Sequence, residues 1–238
     1  MKSACDPLTL NGTQLRNPCG LVAASFFTDK FTLSSGSSSP TTVSMSEKNI
    51  AWSYDKDFSF LQPAGFRKTQ GYATQQTCSA VGLGTDCKEY VSPTDGQYYY
   101  YWYPRDASTY YLYEMYPNNI SPLDGVTDEH FIVWMKISAL PKFRKLYGKI
   151  SRTSGGSNSF KKGDVLTFSI TANYPVASFS GTKALVLSTE GPFGAPNPSV
   201  GLAYLICGCV CGGLGLLFLL TQLIRPRPPG SKEMFHWD

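Results

Sequence analysis

At 238 residues the chain is long enough for one large domain or two small ones, and its 42% apolar residues can supply a core. The net charge is only +4 with Lys and Arg scattered, so nothing marks a nucleic-acid surface. Aromatic residues reach 14%, with fifteen Tyr, and together with frequent Thr, Ser, Gly and Pro they favour strands and turns over a helical bundle.

Residues 1–45 are turn-rich and include a Ser-rich stretch, "SSGSSSPTT", that reads as an exposed loop. Asn11-Gly-Thr13 is an N-glycosylation sequon, and Asn119-Ile-Ser121 is a second one, weakened by the following Pro122. Cys5, Cys19, Cys78 and Cys87 form an even set ahead of the last apolar segment, as expected in an oxidising compartment. Four cysteines permit three connectivities. Local pairing, Cys5–Cys19 and Cys78–Cys87, is expected because each bridge closes a short, turn-rich loop, and the function of such bridges is stapling. A redox role would prefer a close Cys-x-x-Cys pair.

"NIAWSYDKDFSF" (49–60) reads as a strand pair or an extended segment. "PTDGQYYYYWYPRDASTYYLYEMYPNN" (93–119) is an aromatic cluster broken by Pro and Gly, read first as strands that bury one face of Tyr. A partner surface or a membrane-interface belt is the sharper alternative. In "DEHFIVWMKISALPKFRKLYGKI" (128–150), Asp128, Glu129 and His130 place two carboxylates beside an imidazole. Phe131 to Met135 is a β-branched and aromatic run, read as a buried strand. Leu140, Phe143, Leu146, Tyr147 and Ile150 then fall at helical spacing, with Lys142, Arg144, Lys145 and Lys149 on the other face of a short basic helix.

"DVLTFSITANYPV" (164–176) alternates as a half-buried strand should, preceded by the turn "GGSNSFKKGD". "TKALVLST" (182–189) reads as a second strand paired with it through "PVASFSG". From Val200 to Ile224 the chain runs without a charge, and a helix of that length rises by roughly 37 Å against a hydrocarbon core of about 30 Å. Arg225 and Arg227 follow directly, whereas "STEGPFGAPNPS" before it holds one acid and no base. Positive charge stays cytosolic, which puts residues 1–198 in an exoplasmic or lumenal domain, 199–224 in the membrane and 225–238 in the cytosol. Within the span, Ala203, Cys207, Cys211 and Gly215 repeat every four residues beside Gly208 and Gly212, a stripe that lets a second helix approach. Met1 is followed at once by lumen-type sequence with no apolar leader or first span, so a longer form with a further apolar segment upstream is expected.

Catalysis finds little support. Nucleophilic chemistry needs a base held against the nucleophile, and the two His, His130 and His236, fall on opposite sides of the expected membrane. There is no Gly-x-Ser-x-Gly elbow, no Gly-x-x-x-x-Gly-Lys phosphate loop and no set of His or reduced Cys for zinc. No catalytic, cofactor or metal residue is therefore assigned. The architecture expected is an antiparallel, β-sandwich-like exoplasmic domain with short helices, tethered by one C-terminal transmembrane helix.

The 128–150 block resembles the most characteristic block of the cell cycle control protein 50 / ligand-effect modulator family, also called the ALA-interacting subunits. "NPCGLVAASFFTD" (17–29), "KNIAWSYDKDFSF" (48–60), "NYPVASFSGTKALVLST" (173–189) and "NPSVGLAY" (197–204) match in the same order, so the resemblance covers most of 17–224, with 61–122 only loosely similar. It implies a non-catalytic β-subunit of a type IV P-type ATPase, a lipid flippase. Such a subunit is expected to assist endoplasmic reticulum exit, stability and the transport cycle as phospholipid moves to the cytosolic leaflet. It implies a hetero-dimer with the ATPase α-subunit, contact with membrane lipid, no nucleic acid, and residence in endoplasmic reticulum, Golgi, endosome or plasma membrane. The local pairing of Cys5, Cys19, Cys78 and Cys87 is carried over from the family. Two departures stand out: the family's first span and cytosolic N-terminus are absent, and "APNPSVG" replaces the more usual Gly-Lys-Asn-Pro-Phe-Leu-Gly. Asp29-Lys30 and Asp55-Lys56 lack the Thr-Gly of a phosphorylation motif, so the chain is not the pump. A single-span, receptor-like surface protein with a ligand-binding lumenal domain is the competing expectation, and a lumenal hydrolase a distant third.

Overall fold

The computed structural model describes residues 5–36, 41–150, 160, 163–189 and 198–226, which belong to two compact units, Met1–Pro175 and Val176–Asp238. Residues 37–40 of the Ser-rich stretch, most of the turn ahead of residue 164, His236 and the tail from residue 227 lie outside the described residues. Ser34, Ser35, Thr41 and Thr42, at the two ends of that stretch, belong to strands rather than to an exposed loop. The first unit opens with β1 (Leu10–Asn11), β2 (Gln14–Asn17), α1 (Leu21–Ala24), β3 (Lys30–Ser35), β4 (Thr41–Val43) and β5 (Met45–Ser46). It continues with β6 (Arg67–Lys68), β7 (Lys88–Val91), β8 (Tyr98–Trp102), β9 (Thr109–Tyr111), α2 (Leu112–Met115), α3 (Glu129–Met135), β10 (Lys149–Ile150) and β11 (Leu166–Thr171).

The strands divide among four small sheets, ordered β1-β2-β9, β10-β5, β11-β3-β4 and β6-β8-β7. The domain is β-rich as expected, but β2 and β9 run parallel, so it is a mixed arrangement rather than a purely antiparallel one. β11 matches the alternating sequence pattern. It pairs along its full length with β3, from Leu166 opposite Ser35 to Thr171 opposite Lys30, and half-buries Leu166 and Phe168.

The Tyr-rich stretch builds the core. Tyr101, Tyr103, Tyr111, Leu112 and Tyr113 pack with Ala23, Phe26, Ile120 and Phe131, and Tyr100 is buried beside them in β8. Each buried hydroxyl is satisfied: that of Tyr103 donates to the Pro122 carbonyl at 2.9 Å, and that of Tyr100 accepts the Gln76 N–H at 2.6 Å. Burial this deep pushes the Tyr103 and Tyr113 hydroxyls well above the usual range, so tyrosine here is an apolar wall with an anchored end. These rings are occupied inward and are unavailable for the interface belt considered above. Gly125 sits at the base of this wall with φ of 48°, and a Cβ there would meet the Tyr103 hydroxyl at 2.6 Å, so only glycine fits.

Four local expectations are corrected. Phe131 to Met135 is the body of α3, not a strand: Asp128 caps the helix by accepting the Phe131 N–H at 3.0 Å. Phe131 then buries against the Tyr wall and Ile132 is buried as well, and that burial overrides the strand preference of the run. The basic helix expected over 140–150 does not form. Leu140 and Phe143 stay 70% and 51% exposed, so a helix there would have no surface on which to bury its apolar stripe, and so short a helix is marginal alone. Gly148 passes close to Met45 instead, and Lys149–Ile150 pair with β5. "NIAWSYDKDFSF" is not extended but turns through a wide helical loop, closed by the Phe60 N–H on the Asp55 carbonyl at 2.8 Å. "TKALVLST" forms no strand among the described residues, and Leu185, Val186 and Leu187 are exposed.

The second unit contains α4, Pro198–Ile224, of 27 residues, which rises by about 40 Å. It is long and apolar enough to cross a membrane, and its described side chains are all exposed.

Candidate functional site

Asp128, Glu129 and His130 are adjacent in sequence yet face three different surroundings, because they form the first turn of a helix rather than a strand. The Asp128 carboxylate is consumed by the cap, and burial pushes its carboxyl above the usual range despite the Phe131 N–H. His130 Nε2 lies 3.1 Å from a Glu47 carboxylate oxygen, just after β5, and its ring packs 4.6 Å from Tyr147. Burial raises the Tyr147 hydroxyl to about 12.

Glu129 does the most. One of its oxygens accepts the backbone N–H groups of Ile50 at 2.8 Å and Ala51 at 3.2 Å, and the other accepts the Lys56 ammonium at 2.9 Å. Burial alone would raise this carboxyl, but the Lys56 hydrogen bond and the backbone donors of Ala51, Asn49 and Ile50 outweigh it and hold it at about 2. Its partners sit more than seventy residues upstream. Glu129 therefore clamps the 49–60 loop onto α3.

Two further ties were not legible in the sequence. Asp55, buried at the start of the wide loop, pairs with Lys136 at 2.7 Å, and the same ammonium lies 5.6 Å above the Trp52 ring. At the C-terminus of α3, Lys145 reaches back to donate to the carbonyls of Val133 at 2.9 Å, Trp134 at 3.0 Å and Lys136. A cation is the natural partner for those orphan acceptors, so Lys145, expected on the basic face of a short helix, is instead a cap on α3.

Chemically the cluster binds charge to backbone rather than poising it for reaction. An open depression of about 650 Å³ between Trp52, Lys56, Asp57 and Glu129 has its ammonium already paired with its buried carboxylate. Among the described residues no three His, Cys, Asp or Glu side chains come together as a metal site requires. What the surface does offer is apolar area. Trp52, Tyr54 and Phe58 on the wide loop are 76%, 65% and 68% exposed, and Ile137 after α3 is 94% exposed.

The remaining site residues are placed as follows. Cys5 is bonded to Cys19 and Cys78 to Cys87, with Cα atoms 5.2 and 5.6 Å apart. Asn11 ends β1 at a hairpin turn, and Asn119 lies half-buried in the turn after α2. Cys207, Cys209 and Cys211 on α4 are free thiols.

The LEM3 (ligand-effect modulator 3) family / CDC50 family model matches residues 1–228. The chain belongs to that family. It is 33% identical over 99% of its length to "ALA-interacting subunit 3" of Arabidopsis thaliana, covering 54% of that protein. It is 32% identical over 92% of its length to "Cell cycle control protein 50A" of Mus musculus, covering 53% of it. It is 31% identical over 98% of its length to the "Phospholipid-transporting ATPase accessory subunit CRF1" of Saccharomyces cerevisiae, covering 50% of it. The chain thus spans about half the length of these LEM3/CDC50 relatives. All of the elements that form the Glu129 clamp and the Tyr wall fall inside the matched region, and the yeast relative is named as an accessory subunit, not as a pump.

Proposed function

We propose that this chain is a non-catalytic accessory β-subunit of a phospholipid-translocating type IV P-type ATPase. It pairs with the ATPase α-subunit as a hetero-dimer and supports that subunit's exit from the endoplasmic reticulum, its stability and its transport cycle. Residues 1–198 lie on the lumenal or extracellular side, α4 spans the bilayer, and residues 225–238 are cytosolic. The complex resides in endoplasmic reticulum, Golgi, endosome or plasma membrane.

The observation that carries this reading is the LEM3/CDC50 match over residues 1–228, together with the naming of the yeast relative as a phospholipid-transporting ATPase accessory subunit. Three physical features support it. The acids, bases and tyrosines of the best-formed cluster are spent on caps and clamps, which suits a scaffold. Exposed Trp52, Tyr54, Phe58 and Ile137 are aromatic and aliphatic anchors of the kind found at partner interfaces. On α4 the small residues Ala203, Cys207, Cys211 and Gly215 follow one another at four-residue intervals, the spacing that lets a second helix pack closely. The test is affinity purification of the tagged full-length protein from its own membranes in mild detergent. A type IV P-type ATPase should co-purify in a one-to-one ratio; recovery of the protein alone, at the cell surface and without any such ATPase, counts against the reading.

A further inference from the structure

We infer that the two Asn-x-Ser/Thr sequons are not equivalent: Asn11 carries an N-linked oligosaccharide, whereas Asn119 stays unmodified and acts as a strap between the turn after α2 and the chain entering β3. The inference rests on the lumenal placement of residues 1–198 proposed above.

Asn11 pairs with Gln14 across a two-residue turn made by Gly12 and Thr13, both exposed. Gly12 has φ of 61°, and a Cβ built there meets nothing within 4 Å, so the space around the turn tip is open. Among the described residues neither the Asn11 amide nor the Thr13 hydroxyl is engaged in a hydrogen bond. Asn11 is half-buried, but the two groups that glycan transfer uses are unengaged and flank a turn tip that is open and exposed, where a bulky, hydrated substituent has room. In the transfer, Asn11 Nδ2 attacks the anomeric carbon of a lipid-diphosphate-linked oligosaccharide. The N–C bond forms as the bond from that carbon to the diphosphate oxygen breaks. The diphosphate departs with the electron pair, and Nδ2 gives up one proton to solvent.

Asn119 is built in. Its Nδ2 donates to the Thr28 carbonyl at 3.2 Å, the same oxygen that accepts Asn173 Nδ2 at 3.3 Å, and its backbone N–H donates to Tyr116 at 3.1 Å. The middle residue of the sequon, Ile120, is 2% exposed in the Tyr-lined core. The Ser121 hydroxyl accepts the Leu123 N–H at 3.2 Å, and the Ser121 carbonyl accepts Asp124 and Gly125. A sugar on Nδ2 would enter between this turn and Thr28, against a core that is close-packed. Pro122 adds a bias before folding, because it drives Ser121 toward extended backbone.

The experiment expresses the full-length protein in a eukaryotic cell and reads gel mobility with and without peptide N-glycanase, as differences between variants. Asn11→Gln and Thr13→Ala should each remove one glycan-sized step. Asn119→Gln should remove none, and neither should Ser121→Ala, which abolishes the sequon while keeping the Asn119 amide. Ser180→Asn completes an Asn-Gly-Thr sequon at an exposed, positive-φ position that asparagine tolerates, and should add one step. As a readout of the strap, Asn119→Asp, which turns a donor into an acceptor facing a carbonyl, should lower the unfolding midpoint, while Asn11→Asp should not. A step lost with Ser121→Ala overturns the inference, as does an unchanged pattern in Asn11→Gln when Ser180→Asn gains its step. If Ser180→Asn gains none and Asn11→Gln loses none, the lumenal placement fails and the glycan with it.

Discussion

Truncating Glu129 should detach the 49–60 loop from α3. The side chain is only 11% exposed, and Glu129→Ala would leave the N–H groups of Ile50 and Ala51 and the Lys56 ammonium without their acceptor. Lys56 is 44% exposed, so its ion pair adds little and water replaces most of it. The backbone donors dominate, Ile50 being buried, at about 1–3 kcal/mol for each orphaned group. A second route gives a similar figure: holding a carboxyl at about 2 against an ordinary 4.5 corresponds to about 3 kcal/mol. For a chain of this size that loss lowers the unfolding midpoint by roughly 6–12 °C. The folded-state value is depressed, so this stability is fully present above about pH 4.5 and is lost as pH falls toward 2. Near-UV circular dichroism of the detergent-solubilised protein, scanned thermally at neutral pH and at steps below pH 5, measures both effects. Glu129→Gln, which keeps shape without charge, should be less stable than wild type at neutral pH and converge on it in acid. An unchanged midpoint in Glu129→Ala, or a wild-type-to-Gln difference that stays constant below pH 4.5, would refute the clamp.

Other outcomes follow from the same packing. Phe131→Ala, at a position 1% exposed between the rings of Phe26 and Phe60, should cost about 3–5 kcal/mol in the same thermal assay. Gly125→Ala should destabilise by more than a kilocalorie because the new methyl meets the Tyr103 hydroxyl at positive φ, and a companion Tyr103→Phe should recover part of the loss. Replacing Cys5 and Cys19 together by Ser should lower stability by about 3 kcal/mol, the loop closed being fourteen residues apart in sequence, and should leave a Cys78–Cys87 bridge detectable by non-reducing peptide mapping.

What the sequence made legible was whatever local pattern decides. β11 follows a period-two alternation that survives because one face is half-buried, and α4 is an uncharged run that nothing else in the chain resembles. The Tyr-rich stretch was readable as buried strands because its breaks at Pro and Gly delimit them. Elements set by distant partners were misread. α3 combines a strand-like composition with a helical cap, and the burial of Phe131 against the Tyr wall, with Ile132 buried beside it in sequence, settles the choice. The periodicity of 140–150 is genuine, yet the chain spends Lys145 on the carbonyls of α3 and leaves Leu140 and Phe143 in solvent. Asp128, Glu129 and His130 looked like convergent chemistry. One helical turn sends them to a cap, to the backbone of Ile50 and Ala51, and to Glu47, and no linear signal connects Glu129 with donors more than seventy residues away.

The central claim is that this LEM3/CDC50 chain works by holding a partner pump rather than by catalysing a reaction. The most direct measurement is quantitative co-purification of the tagged full-length protein with type IV P-type ATPases, alongside the fraction of that ATPase leaving the endoplasmic reticulum when the protein is depleted. The account predicts a stoichiometric ATPase in the purified complex and retention of that ATPase in the endoplasmic reticulum on depletion. A full-length protein that reaches the cell surface unaccompanied, with ATPase traffic unchanged in its absence, would contradict it.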